Sequence, residues 1–297
     1  MTVSFAPHLQ DRVTVNRLML DVIIALLPAL AAAVYVFGSR AALIVGVCVV
    51  SCVFFEWAFE KLLKRNNTIK DLSAVVTGIL LALCLPEEIP IGMAVFGSFT
   101  AIVFVKQLFG GLGKNFANPA ITARIVLFAA FPASMATWDV PFLGSLDFDF
   151  FAGSHSGYFS EANGLALVLG GAYLIIRRVI TWHTPVTFIA VVFALTAIQG
   201  SEPMFQIFSG GLLVGAFFMA TDSVTSPLTN TGRVIFGAGA GLLTVLIRYG
   251  NYHMAVSFAI LLMNMVVPHI NRLTIPRPLG SAALKRAAVK KGKRGNV

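Results

Sequence analysis

Apolar runs recur along most of this chain and are separated by short polar loops. Six runs are long enough to cross a membrane, near residues 20–38, 41–59, 89–108, 204–221, 233–248 and 253–270. Four shorter runs lie near 72–85, 119–133, 163–176 and 184–199. All ten are rich in alanine, valine, leucine and glycine, which favours helices over a membrane β-barrel. The pattern predicts an all-α integral membrane protein with about ten transmembrane helices, some of them tilted, broken or re-entrant.

The loop charges predict an orientation in the membrane. Counted along the chain, the second, fourth and sixth runs (41–59, 89–108 and 163–176) are followed by basic residues. Acidic residues lie in loops on the alternate side, namely Glu87 and Glu88 and those of the segment 134–162. By the positive-inside rule, both termini are expected in the cytoplasm. The chain then divides into a cytoplasmic N-terminal segment (1–19), a polytopic membrane domain (20–270) and a basic cytoplasmic tail (271–297).

Composition supports a membrane protein and argues against a nucleic-acid partner. Hydrophobic residues make up 57% of the 297 residues and charged residues only 12%, about half the charge of a soluble domain. The net charge of +9 is concentrated in the tail, where eight of the 22 basic residues follow Asn271. A short basic tail after an apolar run is typical of a cytoplasmic membrane flank. Cys48, Cys52 and Cys84 lie within apolar runs without neighbouring ligands, so no metal site is expected.

A faint internal repeat relates two halves of the chain. NPAITARIVLF, residues 118–128, resembles SPLTNTGRVIFG, residues 226–237, with one inserted residue. Each block follows a glycine-bearing apolar run, as expected for duplicated membrane proteins that place a site between their halves. Chance similarity between apolar segments is the alternative, and the repeat can be inverted or parallel.

The matching polar segments are the first polar loop (110–124) and the second polar loop (221–233). Pro119 and Pro227 suit the first turn of a helix, with Asn118 and Ser226 as caps. Ordinary caps and anchoring charges are one interpretation of these loops. The other is a polar socket at the membrane edge for a planar, hydrogen-bonding cofactor such as a flavin, whose reduced form a nearby cation would stabilise. No nucleophile motif, phosphate-binding loop or zinc-protease motif is present, so no stand-alone catalytic centre is predicted.

Several blocks together resemble a known family. GGLGKNFANPAITARIVLF, RRVITWHTPVTF, MATDSVTSPLTNTGRVIFGAGAGLLTVLIR and LLMNMVVPHINRLTIPRPLG occur in this order. They resemble the RnfD protein of Rnf ion-translocating oxidoreductases and the related NqrB protein of the sodium-pumping NADH:quinone reductase, over about residues 16–280. The resemblance implies a ten-helix translocase subunit in a bacterial or archaeal cytoplasmic membrane. Its complex couples electron transfer from the ferredoxin or NADH side to Na⁺ or H⁺ transport. The implied partners are membrane subunits like A, E and G and a peripheral subunit.

The family also implies flavin. Its members typically carry a covalent FMN on a threonine in an outer segment like SGAT, but here the chain passes directly from FPASMATWDVPFLG to SLDFDFF. That segment is therefore interpreted as deleted, and Thr137 is a weak substitute. A non-covalent riboflavin or FMN is expected instead at the two polar loops. By position, the resemblance assigns it to Asn115, Asn118, Thr122, Asp222 and Thr225, with Arg124 as a weaker candidate. A solute permease, an ion-path subunit or a scaffold without redox cofactor is the alternative.

Overall fold

The computed structural model describes residues 14–64, 68–135, 158–159 and 164–276. Over these ranges the chain is helical and has no β-strand; a single β-bridge joins Pro86 to Tyr158. The all-α prediction is confirmed for this part of the chain. The described part of the predicted membrane domain packs its helices around one large and one small hydrophobic cluster, in which buried alanines allow close contact between helices.

Twelve α-helices are present in the described ranges. They are α1 (Val15–Phe37), α2 (Ser39–Leu62), α3 (Ser73–Leu83), α4 (Ile91–Phe99), α5 (Pro119–Ala130), α6 (Pro132–Met135), α7 (Gly164–Ile176), α8 (His183–Ile198), α9 (Pro203–Phe208), α10 (Leu212–Val214), α11 (Asn230–Arg248) and α12 (Ala255–Thr274). A short 3₁₀ turn, Ile69–Asp71, precedes α3.

Each of the ten apolar runs coincides with helix, but only four helices in the described ranges are both long and apolar enough to cross a membrane on their own. These are α1, α2, α11 and α12. Five further helices are apolar and shorter, among them α3, α5 and α7. The chain is therefore a multi-pass membrane protein, and the number of spans remains a prediction.

The run 204–221, predicted as one segment of spanning length, is broken in the structure. Helix α9 ends at Phe208, and Gly210 and Gly211 both have a φ of +69° before α10 begins. Glycine adopts this left-handed conformation without the steric cost that other residues carry. The two glycines thus turn the chain inside an otherwise continuous apolar run.

Two π-helices follow at corresponding places in the two halves. Helix α4 continues as the first π-helix, Thr100–Gln107, and α10 continues as the second, Gly215–Met219. Their wider turns show in i to i+5 hydrogen bonds, from Leu108 N to Val103 O at 3.0 Å and from Ala220 N to Gly215 O at 2.7 Å. Such π segments occur frequently at functional sites. Each one leads directly into a polar loop.

The predicted cytoplasmic loops lie together at one end of the molecule. Asn118 in the first polar loop donates to Met219 O at 3.5 Å, and Leu228 N donates to Asn271 Oδ1 at 3.1 Å. Arg177, after α7, pairs with Asp21 of α1 at 3.2 Å. We call this side the basic end, because Lys61, Lys64, Lys70, Lys114, Arg177, Arg178 and Arg272 belong to its loops and helix termini.

Candidate functional site

A cavity of about 130 Å³ lies at the basic end, between the two polar loops. This is room for on the order of ten water-sized positions, far more than a single structural water occupies. We call it the junction cavity, because residues of both halves line it. Its apolar walls come from α1, α3, α7 and the second π-helix, and its polar groups come mainly from the polar loops and the first π-helix. The polar lining residues are Ser73, Thr77, Lys106, Asn115, Asn118, Thr221, Asp222 and Ser223.

Asn115 lines the cavity and carries a buried polar atom without a partner. The residue is 9% exposed, and its Oδ1 has no hydrogen-bond partner. A buried polar atom without a partner costs free energy, so such an atom in a cavity wall marks a place for a ligand or an ordered water. A side-chain amide at the wall of a largely apolar slot suits a planar ring with donors and acceptors along one edge.

Asn118 lines the cavity but is already committed to helix α5. Its Oδ1 accepts from Ala120 N at 3.0 Å and Ile121 N at 3.4 Å, and Pro119 occupies the first turn. The predicted cap at this position is confirmed. The Nδ2 group donates to Met219 O, so the cap also joins the two halves. Only the amide nitrogen retains capacity for a further contact.

Asp222 and Thr225 form a local pair in the second polar loop. Asp222 Oδ1 accepts from Val224 N and its Oδ2 from Thr225 Oγ1, both at 3.3 Å. Burial raises the pKa of the Asp222 carboxyl above its ordinary value, while these two hydrogen bonds act in the opposite direction. Asp222 lines the cavity, whereas Thr225 lies outside the lining and contacts Asp222 through its hydroxyl.

The remaining two predicted residues lie outside the cavity lining. Thr122 donates to Asn118 O at 3.0 Å within its own helix. Arg124 is buried and extends away from the basic end. It donates to His253 O at 3.0 Å and to Ser257 Oγ at 3.3 Å. Its guanidinium carbon lies 4.4 Å from the centroid of the Tyr158 ring. The arginine therefore anchors α5 to the start of α12.

The predicted start of the second repeated helix is wrong. Helix α11 begins at Asn230, with Thr229 as its cap and a Thr229 Oγ1 bond from Gly232 N at 3.0 Å. Ser226 and Pro227 lie in the preceding loop, where Pro227 O accepts from Arg233 Nε at 3.1 Å. The hydroxyl cap at Thr229 competes with the proline signal at Pro227, and here the cap sets the helix start.

A buried ion pair beside the cavity was not predicted from the sequence. Lys106 Nζ lies 2.6 Å from Glu56 Oε1 and 2.6 Å from Ser73 Oγ, and both charged side chains are almost fully buried. The missed signal was the position of both charges inside apolar runs, since ionisable residues at membrane depth indicate function by default. Thr137 lies outside the described residues, and no three metal-ligating side chains cluster within the described part.

Comparisons with known proteins agree with the resemblance found in the sequence. Residues 2–280 match the model of the NQR2, RnfD, RnfE family. The chain belongs to this family. A relative from Acetobacterium woodii, named as the D component of a Na⁺-translocating ferredoxin:NAD⁺ oxidoreductase complex, is 42% identical over 97% of this chain and 98% of its own length. The proton-translocating counterpart from Clostridium ljungdahlii is 38% identical over 94% and 96%.

The lengths of these family alignments bear on the predicted deletion of the outer segment. The Acetobacterium alignment runs over 311 positions, more than the 297 residues of this chain, so that relative carries residues without a counterpart here. The D component of an ion-translocating oxidoreductase complex from Methanosarcina acetivorans is 34% identical over 284 positions, covering 95% of this chain and 98% of its own length. That relative has no long insertion, so a short form of this component also occurs in an archaeon.

Proposed function

We propose that this chain is the membrane-embedded D component of an Rnf-type ion-translocating oxidoreductase, working with further membrane subunits and a peripheral reducing subunit. Three relatives that match nearly the whole chain are named as this component of such complexes. The family model covers residues 2–280. The proposed location is the cytoplasmic membrane, with about ten spans and with the basic end and both termini in the cytoplasm.

The junction cavity is the proposed place of a non-covalent flavin, either riboflavin or FMN. The observation that carries this proposal is the unpartnered Asn115 Oδ1 in the wall of an otherwise largely apolar cavity. Asn115 would hydrogen-bond the ring edge, Asn118 Nδ2 would contribute from the start of α5, and Asp222 would close the site from the second polar loop. A flavin held there supplies one- and two-electron transfer. The apolar walls limit access of water to it.

Purifying the full-length protein and recording its absorption before and after acid precipitation tests the flavin. The proposal expects flavin bands in the native protein and release of all the colour into the acid supernatant. Colour retained in the pellet contradicts non-covalent attachment. If the purified protein is colourless and binds neither riboflavin nor FMN when they are added back, the proposed cofactor site is contradicted. That result favours a permease or a scaffold.

Inverted membrane vesicles test membership of the electron-transport complex. Ferredoxin-dependent NAD⁺ reduction should disappear when the chain is deleted and return with the intact chain, together with a transmembrane Na⁺ or H⁺ gradient. Unchanged reduction in the deletion strain would contradict the proposed function. Adding a sodium ionophore or a protonophore to the vesicles, and measuring which one collapses the gradient, identifies the coupling ion. The Acetobacterium relative is named as Na⁺-translocating and the Clostridium relative as proton-translocating.

A further inference from the structure

The junction cavity, as the structure shows it, is small for the ligand proposed to occupy it. Its volume is about 130 Å³, whereas pockets that enclose small-molecule ligands measure about 300–1,000 Å³. A tricyclic flavin ring therefore needs one wall of the cavity to move outward. The wall that moves also provides a route by which the ligand enters and leaves.

Helices α1 and α7 contribute one wall and contact each other at two levels. At the deeper level, a Cβ at Gly170 would lie 2.2 Å from Ala25 O, so the two backbones are in direct contact. One turn nearer to the basic end, Asp21 accepts from Arg177 Nη2 at 3.2 Å and from Tyr173 Oη at 3.1 Å. These side-chain contacts can break without disturbing the deeper crossing. The two helices thus have a fixed crossing and a separable end.

The separable end lies directly beside the cavity. Leu18, which lines the cavity, is one turn from Asp21 along α1. On the α7 side, Leu174, Val179 and Ile180 line it. The backbone nitrogens of Val179 and Ile180 donate to Leu174 O at 3.0 Å and 3.4 Å, so the chain folds back on the end of α7. Separating α1 from this end of α7 would therefore widen the cavity.

The contact at Asp21 is suited to opening and closing. The Arg177 side chain is 40% exposed and that of Asp21 only 9%, so water reaches the pair from the arginine side. Ion pairs with an exposed partner are weak and are screened by salt. The adjacent Arg178 has a φ of +58°, a left-handed conformation that is uncommon for residues other than glycine. Such backbone strain clusters at ligand clamps and switch regions.

Two other walls of the cavity are held by close packing. Helix α3 is fixed on α2, because a Cβ at Gly78 would lie 2.8 Å from Val49 Cα. The second π-helix is fixed on α7, because a Cβ at Gly171 would lie 2.3 Å from Phe217 Cδ1. Within the described residues, the wall between α1 and α7 is the one closed by a partly exposed ion pair.

We propose that the basic ends of α1 and α7 form a gate to the junction cavity, latched by Asp21, Arg177 and Tyr173, through which a planar ring ligand enters and leaves. This inference rests on the proposed flavin site. When the latch breaks, the helix ends separate about the crossing of Gly170 with Ala25, and water entering the gap hydrates the Asp21 carboxylate. Arg177 is then a positioning residue, which controls exchange of the ligand without contacting it.

The test measures association and dissociation rates of riboflavin on the full-length protein by rapid mixing and flavin fluorescence. Riboflavin is the probe because it has no phosphate charge that would itself respond to salt. Arg177→Gln should raise both rates by roughly fivefold, the upper end for a partly exposed ion pair. The dissociation constant should stay unchanged, because the latch closes the cavity with and without ligand. Arg178→Gln, at the adjacent exposed arginine, is the matched control and should keep wild-type rates.

Salt gives a second measurement that needs no variant. Added NaCl should raise both rates in the wild type and have little effect on Arg177→Gln, because salt screens the pair from its exposed side. If Arg177→Gln does not fold, Tyr173→Phe removes the other hydrogen bond to Asp21 and should also raise both rates.

The outcomes separate the gate from the flavin site. Wild-type rates in Arg177→Gln overturn the gate while the flavin site stands. Faster dissociation at an unchanged association rate also overturns it, because Arg177 would then hold the bound ligand directly. A wild-type protein that binds no riboflavin contradicts the proposed function instead.

Discussion

Asn115 and Asn118 are three residues apart and have the same side chain, yet their surroundings indicate different roles. Asn118 Oδ1 accepts two backbone hydrogen bonds at the start of α5, while Asn115 Oδ1 has none. A cap contributes to folding whether or not a ligand is present, whereas an unpartnered buried amide gains only when a ligand or water arrives. The two residues therefore separate stability from binding.

Substituting Asn118 tests its structural role. Asn118→Ala should lower the free energy of unfolding by about 1 kcal/mol, because two backbone nitrogens of α5 lose their acceptor. Asn118→Asp keeps a capping oxygen and should stay near the wild type in stability. Melting temperatures of the purified protein in the same detergent measure both. Equal melting temperatures for the alanine and aspartate variants would contradict the capping role.

Asp222 should make stability depend on pH. Its pKa is raised by burial, so the folded state holds the proton more tightly than the unfolded state. Stability attributable to this carboxyl is therefore highest below the unfolded pKa and falls as pH rises through the folded pKa. Asp222→Asn should melt above the wild type at pH 8, and the difference should shrink on acidification. A difference that is constant between pH 4 and pH 8 would rule out this titration.

At the scale of helices, the apolar runs predicted where helices lie, but they did not predict the local geometry within and between those helices. All ten predicted segments coincide with helix, because apolar length and composition reflect the surrounding lipid. The π-helices, the break at Gly210–Gly211 and the start of α11 at Asn230 depend on tertiary contacts and on competition between neighbouring cap signals. No run of hydrophobic residues contains that information.

Helix crossings through glycine give a sharp test at this scale. A Cβ at Gly170 of α7 would lie 2.2 Å from Ala25 O of α1, which is backbone and cannot turn aside. Gly170→Ala should therefore destabilise the protein by about 1–3 kcal/mol through overpacking. Gly92 of α4 is the control, because a Cβ there meets nothing within 4 Å. Gly92→Ala should be neutral or stabilising by up to about 1 kcal/mol. Similar melting temperatures for the two variants would contradict the packing of α1 against α7.

For the whole molecule, the repeat-related polar loops predict a shared site, and the loop charges predict the orientation in the membrane. The structure brings Asn115, Asn118 and Asp222 to one cavity, as expected for repeat-related loops, and leaves Thr122, Thr225 and Arg124 outside its lining. The Lys106–Glu56 pair escaped prediction because its members are fifty residues apart in two different apolar runs. Such long-range pairing is set by helix packing alone.

Orientation is tested by single cysteines at opposite ends. Ser201 is exposed between α8 and α9, and Lys114 is exposed in the first polar loop at the basic end. A cysteine at 201 should react with an impermeant thiol reagent added to intact cells, and a cysteine at 114 should react only after permeabilisation. The native cysteines are buried and supply the background. The reverse labelling pattern would invert the proposed topology.

The flavin content of the Asn115→Ala variant tests the central claim most directly. Losing one hydrogen-bond partner in a buried site costs about 1–3 kcal/mol, or roughly 5- to 150-fold in affinity. After gel filtration, the flavin-to-protein ratio should therefore fall well below the wild-type value at an unchanged melting temperature of the flavin-free protein. Lys114→Ala, from the same loop, should keep the wild-type ratio. A wild-type flavin ratio in Asn115→Ala would contradict the assignment of the junction cavity as the flavin site.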